Sequence, residues 1–202
     1  VNLKNLQELD LHKNQLSGVI PSNIGQLKEL KVLNLSFNKL SGVIPGSICE
    51  ISNLKDLELY MNILSGALPS EIGALKQLEI FSVFNNELEG EIPKSLYEIA
   101  TLKTLLLNSN KLVGELSIDI KKLRALEYLS LFDNNMNGTV PLELERLKNL
   151  KEMNLSYNKF EGFVSRDLAI LDTFNMTMLN DEGLAVLLDV KVERNTAIAS
   201  ED

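Results

Sequence analysis

Asparagine recurs on a ruler: Asn14, Asn38, Asn62, Asn86, Asn110, Asn134 and Asn158 each stand 24 residues after the last. Gly18, Gly42, Gly66, Gly90, Gly114, Gly138 and Gly162 keep the same interval, and no insertion or deletion interrupts it. A fixed period of this size is the mark of stacked repeats, each a small unit that buries its apolar face only against its neighbours. The chain therefore has to be an array and not a globule.

Between the asparagines a frame recurs, LxxLxxLxLxxNxLxGxIPxxI, shown by Leu27, Leu30, Leu33, Leu35, Asn38, Leu40, Gly42, Ile44, Pro45 and Ile48. The LxL pair has the period of two that puts both leucines on one side of a short strand. One strand per repeat, always in the same direction, predicts a parallel sheet. An asparagine amide has two donors and an acceptor, enough to bond the main chain of its own turn and of an adjacent repeat. The seven asparagines are therefore expected to form a structural ladder that satisfies backbone groups outside regular elements. The glycines permit backbone angles other residues avoid. The Ile-Pro pair marks an extended stretch, since proline lacks an N–H and restricts the residue before it. Each buried apolar side chain contributes roughly 1.5–3 kcal/mol. Ordering one coil costs as much or more, so a coil alone should not fold and stability becomes a sum over neighbour interfaces.

The words LSGVIPSNIGQL (residues 16–27), LNLSFNKLSGVIP (33–45) and LSGALPSEIGAL (64–75) resemble the plant-specific class of leucine-rich repeats. The resemblance covers residues 3–170 as seven repeats. It implies an α/β fold: a right-handed, curved solenoid with a parallel β-sheet on the concave face, and short second strands and 3-10 turns on the convex side. It also implies a binding surface for peptides, co-receptors or other proteins, as in receptor-like kinase ectodomains and inhibitors of cell-wall-degrading polygalacturonases. Ser117 and Ser165 stand where that class has proline, and Glu89 replaces the usual Ser before Gly90. These departures are expected to soften the second strands of the C-terminal half. The cysteine pairs that cap extracellular members are missing, and Cys49 is the single cysteine.

After residue 170 the frame decays: Leu171, Phe174 and Leu179 hold repeat positions, but Glu182 takes the Asn slot. The expected organisation is seven repeats over 1–170, then a half-repeat cap and polar tail over 171–202. The chain opens inside a repeat with Leu6, Leu9 and Leu11 uncovered, so sequence before Val1 is expected. The formal net charge of -8 disfavours nucleic acid and anionic membranes, which select a Lys/Arg excess. No apolar run is long enough for a transmembrane helix, so no membrane insertion by this segment is expected. One cysteine allows no internal disulfide, the look of a reducing compartment, although a fragment of a secreted protein looks the same. Four N-x-S/T sequons, at Asn34, Asn137, Asn154 and Asn175, would favour secretion if occupied. The frame word LNLS, however, makes such a triplet by accident.

The residues flanking the LxL leucines should point outward on the concave face. One column there holds Tyr60, Phe84 and Phe132, with Ile80, Leu106 and Tyr128 beside it. This aromatic and apolar band over repeats three to six is the candidate partner-binding surface. The alternative is that these side chains only pack on one another along the sheet. Phe37 and Tyr157, just before the asparagines, are assigned to such packing. Ser36, Ser82 and Ser156 occupy outward positions of the same columns. Glu8, Asp10, Asp56 and Glu58 read as a solvated acidic rim and not as a Ca²⁺ site. His12 is the only histidine, so neither a metal site nor a nucleophile–base pair can be assembled, and no cofactor is expected. The resulting reading is a non-catalytic protein- or peptide-recognition module, part of a larger receptor-like or regulatory protein. A scaffold subunit of a larger assembly and an inhibitor of a hydrolase are the alternatives.

Overall fold

Every repeat contributes two strands, one to each of two seven-stranded sheets. The computed structural model describes residues 3–162, so Ser165, Asn175 and the expected cap over 171–202 lie outside the described residues. The first sheet collects the LxL strands: β1 (Glu8–Asp10), β3 (Val32–Asn34), β5 (Asp56–Glu58), β7 (Ile80–Ser82), β9 (Thr104–Leu106), β11 (Tyr128–Ser130) and β13 (Glu152–Asn154). The second collects β2 (Ser17–Val19), β4 (Lys39–Gly42), β6 (Ile63–Gly66), β8 (Glu87–Gly90), β10 (Lys111–Glu115), β12 (Asn135–Thr139) and β14 (Lys159–Glu161). All neighbouring strands pair in parallel, in chain order. Among the described residues the helical part of a coil is a single 3-10 turn, such as Gly46–Glu50 or Lys94–Glu98.

The two sheets differ in register. In the first, Glu8 faces Val32, 24 positions on. In the second, Gly18 faces Leu40, only 22 positions on. A slip of two keeps every side chain on its own face of the sheet, because side chains alternate with period two. The second sheet thus shears from rung to rung without exchanging inside for outside.

Proline opens most of the 3-10 turns: Pro21, Pro45, Pro93 and Pro141 sit at their N-caps with φ between -64 and -69. Their missing N–H costs nothing there, and their ring pre-sets the angle. Ser117 fills the same position in repeat five with φ -65 and accepts a hydrogen bond from Asp119 N through its side chain. The expected softening of the second strands does not occur in repeats four to six. β10 and β12 run five residues each, longer than β4 or β6, and Glu89 lies inside β8. An extended segment needs only the right φ, and a capping serine supplies it as well as a proline.

Leucine ladders fill the space between the sheets. Leu33, Leu57 and Phe81 are fully buried, as are Leu30, Leu54 and Leu78 three residues before them. Cys49 is buried at the back of repeat two. The glycine positions have φ between +73 and +86, the region glycine enters without penalty. At Gly66 a Cβ would also come within 3.0 Å of Val43 Cγ1 in the repeat before. A second left-handed position precedes every Asn: Lys13, Phe37, Met61, Asn85, Ser109, Asp133 and Tyr157 have φ between 51 and 56. Each such residue carries a cost of about 1 kcal/mol or more. The bend lets successive N–H groups keep bonding the next repeat, as with Phe37 N to Tyr60 O (3.0 Å) and Asn38 N to Met61 O (3.2 Å).

Candidate functional site

The asparagines stitch each coil to its neighbours. Asn62 Nδ2 donates to Leu59 O (3.0 Å) and Tyr60 O (3.4 Å) of its own turn and to Leu35 O (3.0 Å) of the repeat before. Its Oδ1 accepts from Leu40 N at 2.9 Å. Asn38, Asn86, Asn110, Asn134 and Asn158 repeat the pattern, each reaching back 27 residues for one acceptor. The Asn14 side chain donates to Leu11 O and His12 O of its own turn. These side chains hold the front face of the first sheet in place, and any ligand surface is built on that support.

On the front face the structure groups the aromatic residues into two clusters. Tyr60 and Phe84 stack with centroids 4.4 Å apart and planes at 10°, and Phe37 meets Tyr60 edge-on at 5.4 Å. Phe132 meets Tyr157 edge-on at 5.1 Å. Asn108 occupies the third outward column of repeat five, between the clusters. Tyr60, Ile80, Phe84, Leu106, Tyr128 and Phe132 are all half-buried. Tyr128 lies beneath Lys151 Nζ, 5.7 Å from its ring centre. Phe37 and Tyr157, assigned to packing, also stay 37% and 50% exposed, so both packing and presentation fall to them.

Three outward positions are closed to solvent. Ser36, Ser82 and Ser156 are 0%, 3% and 2% exposed. Ser36 donates from both N (3.1 Å) and Oγ (2.7 Å) to Asn34 Oδ1, and Ser156 binds Asn154 the same way. The sequons at Asn34 and Asn154 are therefore closed turns of the sheet with buried hydroxyls. Asn137 is exposed on β12 of the second sheet, and so is Thr139.

The acidic residues divide, which corrects the reading of one solvated rim. Asp10 accepts from His12 N (3.0 Å) and pairs with His12 Nδ1 (2.7 Å), bonds that lower its carboxyl below the usual 3.8. Asp56 and Glu58 are half-buried on β5. Burial first, and the nearby Glu58 second, push Asp56 up to about 6. Glu58 is raised as well, chiefly by burial, with Tyr60 opposing the shift. Asp56 Oδ1 and Ser82 Oγ are sealed from solvent without a hydrogen-bond partner. Elsewhere carboxylates are paired across rungs: Lys103 with Glu79 at 2.7 Å, Lys111 with Glu87 at 3.2 Å, Lys122 with Glu98 at 2.6 Å. Among the described residues no three His, Cys, Asp or Glu side chains converge to hold a metal. Among them, too, no helix is long and apolar enough to cross a membrane.

Residues 30–175 match the family profile of a leucine-rich repeat region, and residues 4–48 match a profile of two leucine-rich repeat copies. A search of curated proteins found no match. Among solved structures the chain is similar to the PEPR1–AtPEP1 complex, at 36% identity and TM-score 0.84 over 89% of this chain and 25% of that one. It is similar to the Arabidopsis receptor kinase HAESA in complex with the peptide hormone IDA and the co-receptor SERK1. There the identity is 35% and the TM-score 0.81, over 89% of this chain and 30% of that one. It is also similar to a plant ice-binding protein, at 28% identity and TM-score 0.72 over 89% of this chain and 65% of that one. The chain thus spans less than a third of the two receptor structures.

Proposed function

The chain belongs to the leucine-rich repeat family, and on that footing we propose that it is a non-catalytic stretch of a receptor-like ectodomain that captures a peptide or protein. The capture surface is the front face of the first sheet, the concave side of the sequence reading. The observation that carries this is the ring cluster Phe37–Tyr60–Phe84, which presents aromatic surface on a scaffold already fixed by the amide ladder. Aromatic side chains offer large contact area at small entropic cost, which is why they dominate interface hot spots. The peptide complexes of the similar receptors favour a peptide ligand. A non-catalytic role fits the one histidine: His12 is held by Asp10, while Ser36, its neighbour across the sheet, spends its hydroxyl on Asn34.

The test is to select a displayed library of random twelve-residue peptides against the chain, then rescreen the binders on Phe84→Ser combined with Phe132→Ser. Capture should be lost while the circular dichroism spectrum stays native. Binders that survive both substitutions would overturn the assignment of the face.

A further inference from the structure

We propose that Asp56 and Glu58, with the buried hydroxyl of Ser82 and the ring of Tyr60, form a subsite that takes the guanidinium of an arginine in a bound peptide. The inference rests on the front-face reading and names the chemistry that face selects.

Asp56 and Glu58 are two apart on β5, so both carboxylates leave the same side of the sheet. Ser82 stands directly opposite Glu58 in the register of β5 and β7, on that same side. Among the described residues these groups are only partly satisfied. Asp56 Oδ1 and Ser82 Oγ are closed to water and unbonded, and Ser82 is 3% exposed. Glu58 receives a long contact from Asn34 Nδ2 at 3.4 Å and a hydrogen bond from the Tyr60 side chain, but no cation. Among the described residues no lysine or arginine pairs with either carboxylate, although carboxylates at other rungs find a lysine one rung away. Buried polar groups are normally bonded, and two acids side by side with no cation between them repel. Such a cluster is incomplete until a cation arrives.

The cation's shape follows from the acceptors. They comprise two carboxylates, one on each of two alternate residues, and a hydroxyl on the adjacent strand. A guanidinium offers five donors in a flat fork and can reach several acceptors at once. It also stacks on aromatic faces, and the Tyr60–Phe84 stack borders the carboxylates. An ammonium has three donors on one point and no face to stack. A metal would need more converging side chains than the site supplies.

The library selection above tests the subsite. Front-face binders should be enriched in arginine. Replacing that arginine by citrulline, its neutral isostere, should weaken binding at least about tenfold, the scale of one bidentate charge-assisted contact. The same replacement should change binding less than about twofold on the Asp56→Asn, Glu58→Gln double variant, whose melting transition confirms that it folds. Lysine in that position should bind more weakly than arginine. Binders that need Phe84 but ignore both arginine and the double variant would overturn the subsite and leave the face standing. Lysine equal to arginine would overturn the guanidinium assignment. A selection yielding no Phe84-dependent binder would overturn both proposals.

Discussion

The first and third repeats are written in the same frame but live in different surroundings. In repeat one Leu9 is only partly buried, and Leu11 is 37% exposed. In repeat three the matching Leu57 and Leu59 are 0% exposed. The Asn14 side chain donates within its own turn, whereas that of Asn62 also ties in the repeat before it. Asp10 is exposed and held by a histidine, while Glu58 at the matching position of β5 is half-buried, and Asp56 beside it has a sealed oxygen with no partner. A residue's worth in this molecule is therefore set by how many neighbours its rung has, more than by its chemical type. That is the expected behaviour of a quasi-one-dimensional array.

Substitutions can break this contrast. The largest effect is expected from Leu57→Ala, which leaves a cavity enclosed on all sides and should cost about 3–4 kcal/mol in urea unfolding. Leu11→Ala, open to water, should cost about 1 kcal/mol or less. Similar midpoints for the two would mean that burial is not what separates the repeats. Next comes Asn62→Ala, which orphans buried carbonyls in two repeats and should cost about 2 kcal/mol. Asn14→Ala should cost well under half of that. Equal costs would show that the inter-repeat rungs carry no weight.

The smallest effect has opposite signs at the two sites. Asp56 binds its proton more tightly folded than unfolded, so stability is highest below its ordinary value of 3.8 and falls as pH rises toward about 6. Asp56→Asn should remove that fall and stabilise the chain by about 1 kcal/mol at pH 7, after allowance for its partial exposure. Asp10 is shifted the other way, so its contribution is present at neutral pH and disappears as pH drops below 3.8. Thermal melts of Asp56→Asn and Asp10→Asn from pH 3 to 7 check both slopes. Parallel slopes would undo the distinction.

Much of this fold is legible in the letters. Asn62, Leu57, Gly66 and Pro45 each announce a local geometry, and the even count forces the stacking. What stays hidden has physical causes. The left-handed bend before each Asn falls on Lys13, Phe37, Met61 and other unrelated residues, because the neighbouring ladder imposes it and no side chain signals it. The 22-residue register of the second sheet cannot be read from a 24-residue spacing. Ser117 looks like a lost proline until its side chain is seen to cap. On the front face, the residue types of the aromatic clusters are visible in the columns, but their ring pairing depends on rotamers. Sealing of Ser82 and Asp56 depends on side chains of adjacent strands, which a single repeat does not contain.

Cys49 lies 6% exposed within the second coil, and burial, followed by the charge of Glu71, pushes its thiol up to about 11. Only the thiolate reacts readily with alkylating reagents. In neutral solution the lone thiol should therefore stay silent until that coil peels away from its neighbours. The pace at which iodoacetamide marks it would count those partings one molecule at a time, giving the solenoid a built-in clock for fraying.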